Sequence, residues 1–429
     1  MSMAGQSSHL ETPPSKDVAI LYVGARLPEL SETFVYRELL NLRQRGHRVE
    51  VASTHRPRAF PDDVQLTSLS REAVVVYDVA TWLALLLALP AHPRLFAGAV
   101  RDAVKADHRH LSDRLKHVLQ AAMGIGTAWR LRRQGIGHVH AHMANAPAMV
   151  ALYIARTLGA RFSFTGHAAD LFVQRSALAF KLRQADFVSC ISRWHRDFYQ
   201  EIADLPDDRL PVVRCSVAMP ATVAGASRRE IVTVARLVAK KGIDLLLRAF
   251  AASNAVDWHL RILGDGPERR VLEALSRELG LVDRVTFEGA QPHSVCLKAI
   301  SDAGLFVLPC RTALTGDKDG IPVVLMEAMA AGRCVVAGRL PAIEELIDDG
   351  VSGVLVPGND ATALGLAIDA LTGDIPRRER LGQAARSKVA AEFSDEINLE
   401  RLEQAIHASA GYVALSGQNE SAFPLAHAR

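Results

Sequence analysis

Three things are scarce in this 429-residue chain, and each scarcity removes a class of function: cysteines at paired spacing, an excess of charge of one sign, and long apolar runs. The five cysteines, Cys190, Cys215, Cys296, Cys310 and Cys334, are odd in number and never spaced C-x-x-C. That excludes a zinc ribbon and a disulfide framework and fits a reducing cytosol. Fifty basic residues stand against 47 acidic ones, a net charge of +3. No global field gathers nucleic acid, and none is expected as a partner. The longest apolar run, Val79 to Leu89, covers about 11 residues against the roughly 20 needed to cross a bilayer, and it stops at Pro90. Met1 to Lys16 is polar and rich in Ser and Pro, without the cationic start and apolar stretch of a secretory leader. These absences predict a cytoplasmic protein.

What is present is globular composition, 49% apolar and 23% charged. The length exceeds the ~250 to 300 residues at which single cores stop growing, so two domains are expected. Apolar strand candidates occur at Val18–Val23, His47–Ser53, Ala73–Tyr77, His138–His142, Arg161–Thr165, Phe187–Cys190 and Pro211–Arg214, with helical stretches between most of them. Ser31 is placed to cap the first helix. A second series follows at Glu230–Ala235, His259–Leu263, Arg284–Phe287, Leu305–Leu308, Cys334–Ala337 and Gly353–Val356. Alternation of this kind predicts an α/β protein with two doubly wound, Rossmann-like parallel sheets. The expected division is a flexible tail at 1–16, a first domain at 17–217, a linker at 218–229, a second domain at 230–394, a helix at 395–410 and a flexible tail at 411–429. Open sheets bind ligands at the carboxyl ends of their strands, so the site is expected in a cleft between the two.

The segment Asp319-Gly-Ile-Pro-Val-Val-Leu-Met-Glu-Ala-Met-Ala-Ala-Gly332 carries the strongest chemical signal. Pro322 suits a first helical turn and Gly332 an exit, so free amides at Gly320, Ile321, Val323 and Val324 face an anion-binding helix start. Glu327 sits among apolar residues and needs hydrogen-bond donors, which sugar hydroxyls supply. Upstream, Arg236 and Lys241 fall in a loop after the first strand of the second series, and Gly264 and Gly266 lie at the end of its next strand.

These motifs resemble the family 4 retaining glycosyltransferases of the GT-B fold, similar to bacterial exopolysaccharide members of the colanic-acid type. The family pattern is Glu, seven residues, Glu. Glu327 matches the second, which binds the nucleotide ribose, and Asp319 stands where the first contacts the transferred sugar. Arg236 and Lys241 match the pair that holds the donor diphosphate, with Gly264 and Gly266 near the base and Pro341–Ile347, with Glu345, a mainly structural segment. Pro28–Val35 resembles the loop after the first strand, with Gly24 facing the donor, and Phe164–Asp170 the active-site loop in which His167 meets a donor hydroxyl. A satisfied structural histidine is the other reading of His167.

The resemblance implies transfer from a UDP- or GDP-sugar to a growing glycan, lipid-linked, with retention and without a metal or other cofactor. The alternatives are a noncatalytic nucleotide-sugar scaffold or sensor and a same-fold epimerase or hydrolase. An NAD-dependent dehydrogenase lacks the full G-x-G-x-x-G it needs. His138, His140 and His142 share one face of a strand, but no carboxylate near them in sequence completes a metal site. Residues 79–117 mix Arg94, Arg101, Lys105, Arg109, Arg114 and Lys116 with apolar positions. Ordinary helix packing is the simpler account of that stretch, and contact with an anionic membrane at its inner face is the alternative.

Overall fold

The computed structural model describes residues 18–29, 32–58, 60, 63–167, 176–221 and 228–419. It contains two six-stranded, wholly parallel sheets. The first has β1 Ala19–Gly24, β2 Val49–Ser53, β3 Val74–Val75, β4 Ile136–His142, β5 Arg161–Thr165 and β6 Phe187–Ser189, in the order β3-β2-β1-β4-β5-β6. The second has β7 Glu230–Val234, β8 His259–Leu263, β9 Val285–Gly289, β10 Leu305–Leu308, β11 Val335–Gly338 and β12 Val354–Val356, in the order β12-β11-β10-β7-β8-β9. All six residues of β1 and all four of β10 are buried, as expected when helices cover both faces.

This order fixes where a ligand goes. In each sheet the chain starts at a central strand, winds outward one way, and returns to wind the other way. The reversal lies between β1 and β4 in the first sheet and between β7 and β10 in the second. Loops leaving such a pair diverge and open a crevice at the carboxyl edge.

Several expectations need correction. Pro211–Arg214 is no strand: it makes a single bridge, Cys190 to Val212, because Pro211 has no N–H to donate to a continuing ladder. The last helix runs Asp395–Asn419, through the residues expected to be a flexible tail from 411. One interior glycine, Gly411, costs a helix only about 1 kcal/mol, too little to end it. The basic stretch at 94–116 covers nearly all of one helix, Pro93–Lys105, and the start of another, Leu111–Leu131, and the helix Val79–Ala91 includes Pro90. The proposed cap Ser31, the tail 1–16 and most of the linker lie outside the described residues.

The final helix also returns to the first domain. Leu399, Leu402 and Ile406 repeat along one face and pack with Val35, Leu39 and Leu42, while Asp395 pairs with Arg37 at 2.8 Å. The chain therefore crosses between domains twice. Glu345 adds a further tie, accepting the N–H groups of Arg193 and Trp194 at 2.8 Å each and pairing with Arg214 at 3.2 Å. Its carboxylate caps the start of the helix Arg193–Ala203, where negative charge is favoured.

Candidate active site

The loop after β7 is held by close backbone contact with the loop after β8. Gly264 has φ +135°, and a methyl built on it would lie 1.9 Å from the Ala235 carbonyl oxygen. At Gly266 the Leu237 carbonyl oxygen is 2.4 Å away. Both glycines are thus required by the backbone that flanks Arg236, whatever they do for a nucleotide. Gly264→Ala is expected to lower stability by about 2 kcal/mol or more, since it combines a disfavoured φ with a backbone clash. Urea denaturation checks this, and a wild-type midpoint would remove the argument.

From this loop Arg236 projects a guanidinium that has no hydrogen-bond or ion-pair partner among the described residues. Lys241 is paired: its Nζ lies 2.9 Å from Asp319 Oδ2, with Lys240 Nζ 3.5 Å from Oδ1 and 3.2 Å from Asp317. The Cys310 thiol donates to Asp319 Oδ2 at 3.2 Å. Burial by itself would raise the Asp319 carboxyl, but Lys241 and then Lys240 hold it below the ordinary carboxylate value. Burial likewise opposes charge on Lys241, yet the Asp319 carboxylate at 2.9 Å keeps its ammonium above the usual lysine value. Residues 78 positions apart in sequence thus meet at the reversal point of the second sheet, because β7 and β10 are neighbours.

The loop after β10 leads into the helix Val323–Ala330, whose start carries no side-chain cap. Among the described residues, the N–H groups of Gly320, Ile321, Val323 and Val324 have no backbone acceptor outside that helix. Glu327, 9% exposed at its side chain, accepts from His293 Nε2 at 2.8 Å through Oε1, which leaves Oε2 without a protein donor among the described residues. His293 was invisible to sequence reasoning; only its place after a strand, in Gln291-Pro292-His293, hints at it. The far wall belongs to the first domain. A methyl on Gly320 would stand 3.5 Å from His195 Cε1 and 3.7 Å from Ile191 Cδ1. Lys318 Nζ sits 4.9 Å over the Trp194 ring, and the Glu327 charge is felt at Tyr36.

His167 follows β5, buried, with Phe34 at 4.8 Å and its Nε2 3.3 Å from His142 Nδ1. Burial, then His142 and His195, push its pKa well below the imidazole range, so the ring is neutral at pH 7. Burial, then the charge of Lys318, also takes His195 down to about 3. The rest of the expected loop, Ala168 to Asp170, lies outside the described residues. Gly24 is buried at the end of β1, and a methyl there would first meet Leu27 side-chain atoms, the nearest at 3.1 Å.

The three histidines of β4 do have a carboxylate nearby, contrary to the sequence expectation. Glu38, one helix away, receives His142 Nε2 at 3.0 Å and the Tyr22 hydroxyl at 2.6 Å. Glu38, His140 and His142 offer ligand atoms within 4.8 Å of one another. Both His140 nitrogens are already bonded, to Ser163 Oγ at 2.7 Å and Thr165 Oγ1 at 3.0 Å, and His138 bonds Ser163 at 2.6 Å. The donor set is that of a satisfied buried network.

Comparison with known proteins bears on this geometry. Residues 220–388 match the family described as glycosyl transferases group 1. A putative colanic acid biosynthesis glycosyltransferase, WcaL of Escherichia coli K12, is 38% identical over 200 residues, 45% of this chain and 49% of that protein. The match thus spans about half the length of that relative. A GDP-mannose-dependent alpha-(1-6)-phosphatidylinositol monomannoside mannosyltransferase of Mycolicibacterium smegmatis is 32% identical over 268 residues, 57% of this chain and 69% of the relative. Among solved structures, Anabaena Alr3699/HepE in complex with UDP superposes with a TM-score of 0.68 at 15% identity, covering 91% of this chain and 100% of that one. At that identity the likeness speaks for the fold, two Rossmann-like domains of the GT-B type.

Proposed function

The chain belongs to the glycosyl transferases of group 1, and from that premise we propose that it moves a sugar from a UDP- or GDP-sugar to a growing, lipid-linked glycan, with retention at the anomeric carbon. The observation that carries this reading is the Lys241–Asp319 pair at the reversal point of the second sheet, beside the unpaired Arg236 and the open helix start. A nucleoside diphosphate brings two phosphates to that place. Arg236 grips them by a forked pair of donors, Lys241 by a point charge, and the amides of Gly320, Ile321, Val323 and Val324 by their dipoles. Glu327 Oε2 takes the ribose hydroxyls, and Asp319 turns from Lys241 to the hydroxyls of the transferred sugar.

As the bond from the anomeric carbon to the phosphate oxygen breaks, charge grows on the leaving diphosphate, where fixed donors are worth most. The acceptor hydroxyl attacks from the same face and passes its proton to a phosphate oxygen. His167, neutral and held by His142, hydrogen-bonds a donor hydroxyl. These cations do the work of a divalent ion, so no metal or other cofactor is expected. Peripheral contact with an anionic membrane at the inner face fits a lipid-linked acceptor.

A thermal-shift series with UDP, GDP, ADP and their sugars tests the reading. One nucleotide family should raise the melting temperature, by an amount equivalent to about 2.7 kcal/mol at a hundred times Kd. No shift with any of them contradicts it. Tight donor binding without turnover on any acceptor would point to a sensor, and glycan cleavage without nucleotide to a hydrolase. Asp319→Asn is expected to cut sugar transfer at least tenfold while nucleoside diphosphate binding changes little; equal loss of both removes the split of roles.

A further inference from the structure

His195 holds a polar atom that folding leaves unanswered. The residue is fully buried, and its Nε2 has no hydrogen-bond partner among the described residues. A satisfied core histidine, the ordinary explanation of a buried imidazole, does not account for it. His140 on β4 shows the contrast, since both of its nitrogens are bonded.

The local sequence fixes whether that nitrogen carries a hydrogen. Ser192 caps the helix Arg193–Ala203 by accepting the His195 N–H at 3.2 Å, and the same Oγ lies 2.6 Å from His195 Nδ1. With a lone pair given to the cap, the buried hydroxyl sends its hydrogen to Nδ1, and the ring proton then sits on Nε2. The other tautomer would leave two groups unmet, the hydroxyl hydrogen and a bare Nε2, instead of one. Burial, then the charge of Lys318, keeps a second proton off the ring, so Nε2 is a neutral donor at pH 7. An N–H shut away from water without an acceptor is costly to keep.

The surroundings of that donor select its acceptor. Cε1, the carbon bonded to Nε2, lies 3.5 Å from where a methyl on Gly320 would stand, so this ring edge faces the second domain. Gly320 follows Asp319 in the chain, and His195 is near enough to His167 to help hold that ring neutral. The helix that carries His195 is registered against the second domain, because Glu345 accepts the N–H groups of Arg193 and Trp194 at 2.8 Å each. A neutral N–H is thus held between the two residues read as sugar contacts, one from each domain. The phosphates have their own donors in Arg236, Lys241 and the helix start. The sugar is short of one, because Asp319, a carboxylate, can only accept. A hydroxyl both gives a hydrogen and takes one, so a carboxylate and an N–H on either side satisfy it.

We propose that His195 is a specificity residue of the donor site, its Nε2–H donating to the oxygen of a hydroxyl on the transferred sugar while Ser192 holds the tautomer. The inference rests on the reading of the protein as a nucleotide-sugar transferase and deepens it. The turn of Asp319 from Lys241 toward the sugar moves the residue next to Gly320 and uncovers the ring edge. A donor sugar that lacks the hydroxyl, or carries it in the opposite configuration, strands the N–H and is rejected.

Calorimetry with the full chain tests it. The probe is whichever of UDP-glucose, UDP-galactose, UDP-N-acetylglucosamine and GDP-mannose raises the melting temperature most, set beside its parent nucleoside diphosphate. His195→Ala is expected to bind the nucleotide sugar about tenfold more weakly, while the diphosphate binds as it does to the wild type. His195→Gln should recover most of the loss, because its amide N–H reaches about as far as ring Nε2. One monodeoxy form of the sugar should bind equally well to the wild type and to His195→Ala, since the two deletions remove a single interaction. Melting curves of both variants verify the fold. Nitrogen NMR of histidine-labelled protein needs no variant: near pH 7 His195 should be the Nε2–H tautomer, and its proton should shift with the nucleotide sugar but not with the diphosphate. A helix-packing role would weaken both ligands together, and that result overturns the proposal. So does an Nδ1–H tautomer, or wild-type binding of the nucleotide sugar by His195→Ala. If the wild-type chain binds the diphosphate, any of these results discards this inference alone; if it binds no nucleotide, the donor reading itself falls.

Discussion

Arg236→Ala is expected to lower kcat/KM by roughly 100-fold or more and to leave the melting temperature close to that of the wild type. The two halves of that expectation come from one observation. Among the described residues nothing in the protein pairs with the guanidinium, so folding does not depend on it and its removal strands no buried partner. The loop that carries it is nevertheless fixed, by the Gly264 and Gly266 contacts with Ala235 and Leu237. An unpartnered, exposed cation on a fixed backbone is available as a donor for a charge that arrives from outside. Loss of one such donor typically costs two to three powers of ten in rate. Arg236→Lys should recover only part of the activity, because an ammonium cannot fork two phosphate oxygens. Steady-state kinetics beside a melting curve suffice; near-normal turnover, or a large drop in stability, would each contradict the role.

How much of this was legible in the sequence depended on the distance over which each feature is built. Strands β5, β8 and β10 fall at the expected residues because short apolar runs between helical stretches are local signals. The reversal of strand order that brings Lys241 to Asp319 is not local; the family resemblance assigns both residues to the donor but does not pair them. Where neither help existed, the reading failed. Glu38 and His142 are 104 residues apart and meet only because a helix and β4 are packed together, so the carboxylate beside the β4 histidines could not be foreseen. His293 meets Glu327 for the same reason. The apolar stretch after Val79 shows a different limit. Sequence reveals that a helix has apolar residues all round, but which face is covered is a property of the neighbours.

Lys241→Ala should also lose turnover by roughly 100-fold or more, and here stability falls with it. The substitution leaves the Asp319 carboxylate buried, with Lys240 at 3.5 Å and the Cys310 thiol as remaining partners. Breaking a buried pair from one side costs about 3–5 kcal/mol, and Lys240 holds the loss toward the lower end. The pH dependence follows from the directions of the two shifts. Asp319 titrates below its unfolded value of about 3.9, so its contribution is present above that pH and is lost as pH falls through the folded value. Lys241 titrates above its unfolded value of about 10.4, so its contribution is present below that pH and is lost as pH rises through the folded value. The pair therefore stabilises across the whole neutral range. The deficit of Lys241→Ala should be largest near pH 7 and shrink as pH falls through the depressed folded value of Asp319, below which the carboxyl is protonated with or without its partner. Denaturation midpoints at pH 7 and along an acid series measure this, and a deficit that stays constant through the series refutes it. Adding Asp319→Asn to Lys241→Ala separates structure from chemistry: removing the stranded charge should restore most of the stability, while turnover stays low because the diphosphate still lacks its ammonium.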